Sequence, residues 1–255
     1  MNKDLPFQNH IHHLKSRTQK HASYPDRFWV PDEMVSWDID FPEYRPVNYT
    51  SPKVLDPSTS WADPADVAKI RSRFSSTIKL NASGFPLNPI GRTGICSRGV
   101  IGKWGPNFAA DGLITTINPQ GKILVLAITR SDTGEYAIPG GMVDPGESPI
   151  ATRNRELEEE ISLSVDDLKN PVFENIIYTG YGDDPRNTDN AWMETTVFHS
   201  HFNFEAASNM KPKAGDDAVD FSWLELSNGN ISKFFSSHPY FLMLALENLK
   251  KHGIS

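Results

Sequence analysis

The stretch GGMVDPGESPIATRNRELEEEIS, Gly140 to Ser162, restricts the fold of this chain more than any other. Glycines and a proline open it with the punctuation of a tight turn. A helix follows, for which Ser148 suits the N-cap and Pro149 the first turn. Helical spacing then sets Ile150, Asn154, Leu157 and Ile161 on one mostly apolar stripe, which must lie on a core. Glu156, Glu159 and Glu160 stand at i, i+3 and i+4 on another side, where like charges repel. Taken alone, these acids read as a solvated helix face. The competing reading is a hard divalent cation, which prefers carboxylate oxygens and would reverse the repulsion.

A chain of 255 residues can build one large domain or two small ones around a sizeable core. Two patterns meet in it. A lead-in, residues 1–23, has no apolar run, so we expect it to be flexible and not a secretory signal. Its HIHH run reads as an adventitious metal binder at most. Residues 24–110 are rich in proline and read as extended segments and turns. Phe28, Trp29, Trp37, Phe41, Tyr44 and Tyr49 offer this half a packing surface of its own. DPADVAKIRSRF (Asp63 to Phe74) is its one expected helix.

From 111 to 255 the pattern changes. DGLITTINPQGKILVLAITRSD reads as two strands across an NPQG turn, and GEYAIPGGMV as a short strand entering a glycine loop. PVFENIIYTGY, AWMETTVFHSHFNF and AVDFSWLEL have strand character. SSHPYFLMLALENLKKHG reads as a closing helix, with Ser236 or Ser237 at its start and Lys250 and Lys251 near its end. Strands interrupted by one helix and followed by another predict an α/β fold, a mixed sheet between helices.

Composition narrows the function. A net charge of −7 argues against nucleic acid as a partner. The longest apolar runs are far short of the roughly 20 residues of a membrane span, so no direct membrane insertion is expected. Cys96 is the single cysteine and reads as a buried structural thiol, which suits an intracellular, reducing compartment.

The helix and its loop, taken together, resemble the Nudix box, G-x5-E-x7-R-E-U-x-E-E-x-G-U with U a bulky aliphatic. Gly141 is followed by Glu147, then by Arg155, Glu156, Leu157, Glu158, Glu159, Glu160 and Ile161 at the required spacing. Ser162 stands where the family has glycine, a position that closes the helix. The resemblance implies a loop–helix–loop on a Nudix mixed-sheet α/β/α sandwich. It implies that Glu156, Glu159 and Glu160 bind Mg²⁺ (or Mn²⁺), and that Arg155 orients a glutamate, with Glu147 its candidate partner. A box glutamate serves as base in that family, and which one does so varies. Glu158 lies off the metal-facing arc.

NPIGRTGICSRGVIGKWGPNFAADGLITT and GYGDDPRNTDNAWMET are similar to segments of the mitochondrial-type ADP-ribose pyrophosphatases. They are equally similar to the Nudix homology domain of ADP-ribose-gated melastatin-type TRP cation channels. Both kinds carry an N-terminal cap-like domain, expected here to be β-rich. Two functions follow. One is Mg²⁺-dependent hydrolysis of ADP-ribose to AMP and ribose 5-phosphate, in the cytoplasm or, less favoured, a mitochondrion. The other is an ADP-ribose sensor on the cytoplasmic side of a tetrameric channel, with the rest of that channel as partner. Another diphosphate substrate ranks below both.

Arg92 and Arg98 sit among glycines, as phosphate-contacting arginines do, and equally as solvated turn arginines do. Asp184, Arg186, Asn187 and Asn190 offer what a ribose and an adenine edge need, or else fix a loop. Asp216 and Asp217 suit ribose hydroxyls or a place near the attacking water. Trp104, Tyr136 and Trp192 are stacking candidates, although a buried aromatic is more often core.

Overall fold

Alternation along two strands decides the architecture of the second half. In the computed structural model, which describes residues 13–210 and 218–254, strand β3 (Gly105–Ile117) pairs antiparallel with β4 (Ile123–Arg130). Thr115 lies opposite Val125 and Ile117 opposite Ile123, and the Asn118–Gly121 turn joins them. Successive side chains of a strand point to opposite faces. Leu113, Val125 and Ala127 therefore join Phe241, Leu242 and Ala245 in one core. Ile114, Leu126 and Ile128 join Leu157 and Ile161 in another. The sheet is covered on both faces, by helix α6 (His238–Lys251) and by helix α3 (Pro149–Ile161).

Residues β5 (Tyr136–Ala137), β4, β3, β8 (Ala191–His201) and β7 (Phe173–Gly182) follow one another across the sheet. The short β6 (Gly140–Met142) pairs with β3, and β9 (Ala218–Glu225) with β4. Helices α4 (Phe204–Asn209) and α5 (Asn228–Ile231) fill connections. The sandwich expected from the sequence is present.

Helix α3 begins as its sequence dictates: the Ser148 hydroxyl accepts from Ala151 N–H and Pro149 is its first residue. Its buried face is shifted from the expected stripe. Thr152, Arg153, Leu157 and Ile161 are buried, while Ile150 is exposed and Asn154 half-buried. Arg153 takes the aliphatic place because its guanidinium meets Glu174 at 2.8 Å and lies over the Phe198 ring. The helix ends on Ser162 in the left-handed region (φ 55°), with Leu163 N–H bonding back to Leu157 O, a closure that favours glycine.

The chain divides into two units, and the division is not one cut. The first takes the described residues up to Asn107 together with Tyr181–Glu194; the second takes Phe108–Gly180 and the residues from Thr195 onward. The 181–194 segment, placed with the core domain on sequence grounds, thus belongs to the N-terminal unit.

That N-terminal unit is less β-rich than expected. Apart from the ends of long strands it holds a two-stranded parallel pair, β1 (Val47–Thr50) with β2 (Ile95–Gly99). Helices α1 (Leu14–Thr18) and α2 (Pro52–Leu55) are short. The helix expected at 63–74 is instead a 3-10 helix, Val67–Arg73, whose buried residues Val67 and Ile70 are three apart, the 3-10 repeat. Phe28 meets Phe41 and Tyr44, and Trp37 meets Tyr44, edge to face, while Phe41 stacks on Tyr44; Trp29 is exposed.

The flexible lead-in is corrected from residue 13 onward. Ser16 gives its N–H and hydroxyl to Asp183, and the buried His13 ring bonds the Tyr181 hydroxyl and Arg92 O. Residues 1–12, with most of the HIHH run, lie outside the described residues. Among the described residues no helix is long and apolar enough to cross a membrane. Cys96 is half-buried, not fully buried, and burial pushes its thiol up to about 11.

Candidate active site

One arginine organises the loop–helix. Arg155 bonds both oxygens of Glu147, through Nε and Nη2 at 3.1 Å each. Its Nη1 donates to Glu156 at 2.7 Å and to Glu159 at 2.9 Å, and Nη2 also donates to Met142 O at 3.0 Å. The planar fork of arginine suits this divided task. The Thr152 hydroxyl adds a 2.7 Å bond to Glu147. Glu147 is consequently held down at about 2, by Arg155 first and Thr152 next. These pairings keep Arg155 firmly protonated.

Glu160 belongs to a different environment. Its carboxylate accepts the Gly140 N–H at 2.9 Å. Burial pushes it up to about 8, and the charges of Glu156 and Asp111 add to the rise. Burial likewise raises Glu156, against the pull of Arg155. Glycines make this crowding possible. A side chain on Gly141 would overlap the Glu156 carboxylate, and one on Gly140 would strike Ala110 O and Asp111. The first box residue is therefore glycine because an acid occupies the space of its missing Cβ.

The donor set suits a divalent cation. Glu156, Glu159 and Glu160 offer hard oxygen donors, and a cation would hold the two raised carboxyls in their ionised form. Among the described residues no three His, Cys, Asp or Glu side chains stand together as a ready-made metal site. Mg²⁺ rarely needs one, since it keeps waters and takes substrate phosphates beside one or two carboxylates. Glu158 is exposed and outside the Arg155 network.

Apart from Tyr136, the remaining predicted binders among the described residues lie in the first unit. Two are corrected. Arg92 is buried with its guanidinium on Met34 O, Ser36 O and Ile39 O, against the rings of Trp37, Phe41 and Tyr44. Arg98 is buried, donates to Asp63 O and lies against Trp104. Both hold loops whose carbonyls have no ladder partner, so neither is the solvated or phosphate-facing arginine its glycine-rich setting suggests.

Asp184 is buried and grips Arg186 through both of its oxygens at 2.8 Å. The Asn187 amide donates to Gly182 O and accepts from Met193 N–H. Asn190 accepts from Ser97 N–H and donates to Pro86 O. Trp192 is buried with its indole N–H on Glu194, and Trp37, Trp192 and Glu194 help line a cavity of about 380 Å³. Trp104 is core, packed on Phe85, and Tyr136 packs on Phe234. Asp216 and Asp217 lie outside the described residues.

Sequence reasoning missed Asp111 and Arg153. Asp111, a charged residue inside an apolar stretch of β3, left that misfit as its signal, whereas Arg153, in a helix already rich in charge, left none.

Comparison with known proteins matches residues 30–105 to the NUDT9-like N-terminal domain and residues 106–244 to the NUDIX domain. A Caenorhabditis elegans protein provisionally named nudix hydrolase 6 is 40% identical, over 87% of this chain and 91% of its own. The mitochondrial ADP-ribose pyrophosphatase of Rattus norvegicus is 38% identical, over 94% and 79%. Transient receptor potential cation channel subfamily M member-like 2 of Nematostella vectensis is 37% identical, over 92% of this chain but 18% of its own.

Proposed function

The chain belongs to the Nudix family, and from that premise we propose that it hydrolyses the pyrophosphate of ADP-ribose, releasing AMP and ribose 5-phosphate. The observation that carries this reading is the joint placement of the box acids. Arg155 binds Glu147, Glu156 and Glu159 in one network, while Glu160 is fixed on the Gly140 N–H. The rat relative named for this reaction matches nearly the whole chain.

Nudix hydrolases use divalent metal ions, and we assign Mg²⁺, with Mn²⁺ as substitute, to Glu156, Glu159 and Glu160. Such an ion neutralises pyrophosphate charge and lowers the pKa of the attacking water. The chain's own residues set the geometry. Glu147 immobilises Arg155, and Arg155 in turn aims Glu156 and Glu159. On the substrate side, Arg186 is the cation we retain, held by Asp184 and a quarter exposed. Asn187 and Asn190 brace that loop by bonds to Gly182 O and Pro86 O, and Trp192 lines the cavity with Trp37. Asp216 and Asp217 are retained for ribose hydroxyls on sequence grounds. The compartment we propose is intracellular and reducing.

A second reading keeps the same ligand without turnover. The match to the Nematostella vectensis channel supports a sensor domain, with the remainder of a tetrameric channel as partner. Incubation with ADP-ribose and Mg²⁺, followed by chromatography for AMP, separates the two. AMP release is the expected result. Measurable binding with no AMP sinks the hydrolase reading in favour of the sensor.

A further inference from the structure

Strand β3 runs through Ala109, Ala110, Asp111, Gly112, Leu113 and Ile114, and Asp111 interrupts an otherwise apolar, buried segment. Burying a carboxylate is costly unless a cation or a set of donors meets it. Oδ2 accepts from the buried Thr195 hydroxyl, on β8, at 2.5 Å. The other oxygen faces the glycine loop. Asp111 is the register partner of Gly140, and a Cβ built on Gly140 would stand 2.5 Å from Asp111 Oδ1.

The same Gly140 presents its N–H to Glu160 Oε2. The next residue, Gly141, leaves its side-chain space to the Glu156 carboxylate. Carboxylates from strand β3 and from two turns of helix α3 thus meet on one glycine pair, and only two of the three belong to the box. The Asp111 charge reaches Glu160, adding to what burial already does. Like charges gathered this way at a hydrolase site are reconciled by a shared cation.

Resting on the Nudix reading, we propose that Asp111 is a fourth carboxylate of the metal site, supplied from outside the box and aimed by the Thr195 hydroxyl. Hydrogen-bonded support of this kind orients a metal-binding carboxylate and shapes its affinity. Thr195 is then a positioning residue, acting only through Asp111.

The test reads metal binding directly, without substrate. Free Mn²⁺ is followed by electron paramagnetic resonance in titrations of the whole chain and of three variants. Asp111→Asn is expected to weaken Mn²⁺ binding roughly 10-fold or more. Thr195→Val, which removes a hydroxyl without touching a charge, is expected to weaken it roughly 10-fold, the low end of the range for an outer support. Glu160→Gln is the reference for the box itself. Melting without metal supplies a readout that a purely structural aspartate would fail. Asp111→Asn is expected to melt no lower than the parent, yet to lose most of the stabilisation that Mn²⁺ confers.

Parent-like Mn²⁺ binding by Asp111→Asn, with binding lost in Glu160→Gln, overturns this inference and leaves the box reading standing. Parent-like binding by both variants overturns the two together. If Asp111→Asn does not fold, Thr195→Val decides, and unchanged affinity there overturns the proposal.

Discussion

The two units spend their buried polar side chains in opposite ways. In the first, one short strand pair leaves much backbone without ladder partners, and side chains supply them. Arg92 takes three carbonyls, Asn190 bridges Ser97 and Pro86, and Asp189 receives Thr93 N–H and the Tyr44 hydroxyl. In the second unit sheet and helix bonds carry most of the backbone, with Glu160 on Gly140 N–H and His238 on Ile138 N–H as exceptions. Its buried polar groups face one another instead: Glu156, Glu160 and Asp111 around two glycines, and His199 and His201 on Thr115. A buried polar residue in a loop-rich unit is therefore poor evidence of chemistry. A buried acid beside other acids, in a unit whose sheet and helices carry most of the backbone bonding, is much better evidence.

The sharpest test of that contrast is Glu160→Gln, with Glu159→Gln beside it. Both should cut ADP-ribose turnover by roughly 10³-fold or more with the fold intact; parent-like rates in both would remove the metal assignment. Glu160 should also cost stability. Its folded pKa of about 8 lies above the ordinary 4.5, so between those values the folded state holds a proton that the unfolded state lacks. Its contribution is full below pH 4.5 and falls as pH rises to about 8. Metal-free Glu160→Gln should therefore melt progressively higher than the parent from pH 5 to 8, and parallel curves would contradict this.

Arg92→Met probes the other unit. Losing three buried hydrogen bonds should destabilise by roughly 3 kcal/mol or more, read from the urea midpoint. An unchanged midpoint with a raised KM would make Arg92 a substrate arginine after all and erase the contrast. His199 gives the second unit a pH slope of opposite sign. Burial pulls it down to about 3 while its ring bonds Thr115 and Asn248. Its stability contribution is full above pH 6.5 and drains as pH falls toward 3. His199→Gln should flatten the acid limb of a stability profile, and an unaltered limb would assign the slope elsewhere.

These contrasts mark where sequence was legible. Cap residues and period-two alternation are local, so the start of α3 and the β3–β4 hairpin could be read directly. The box was legible because eight positions, Gly141, Glu147, Arg155, Glu156, Leu157, Glu159, Glu160 and Leu163, constrain one another at fixed spacing. Non-local facts were hidden. That Arg153 rather than Ile150 faces inward depends on Glu174 and Phe198, distant in sequence. That Arg92 serves carbonyls depends on Met34, Ser36 and Ile39. Tyr181–Glu194 joins the first unit through partners such as Ser16 and Asn88.

The smallest effects sharpen the contrast within helix α3 itself. Ser162 holds a left-handed backbone where glycine is easier, so Ser162→Gly should raise stability by about 1 kcal/mol and leave turnover alone. A loss of activity there would mean the helix end does more than close a turn. Glu158 tests whether charge in the acidic run matters for itself. It is exposed and stands outside the Arg155 network, while its neighbours on both sides carry the bonds to Arg155 and Gly140. Glu158→Gln should shift neither kcat nor stability beyond about 0.5 kcal/mol. If it lowered turnover as Glu159→Gln does, bulk negative charge, not the placement of carboxylates by Arg155 and two glycines, would be what the site uses.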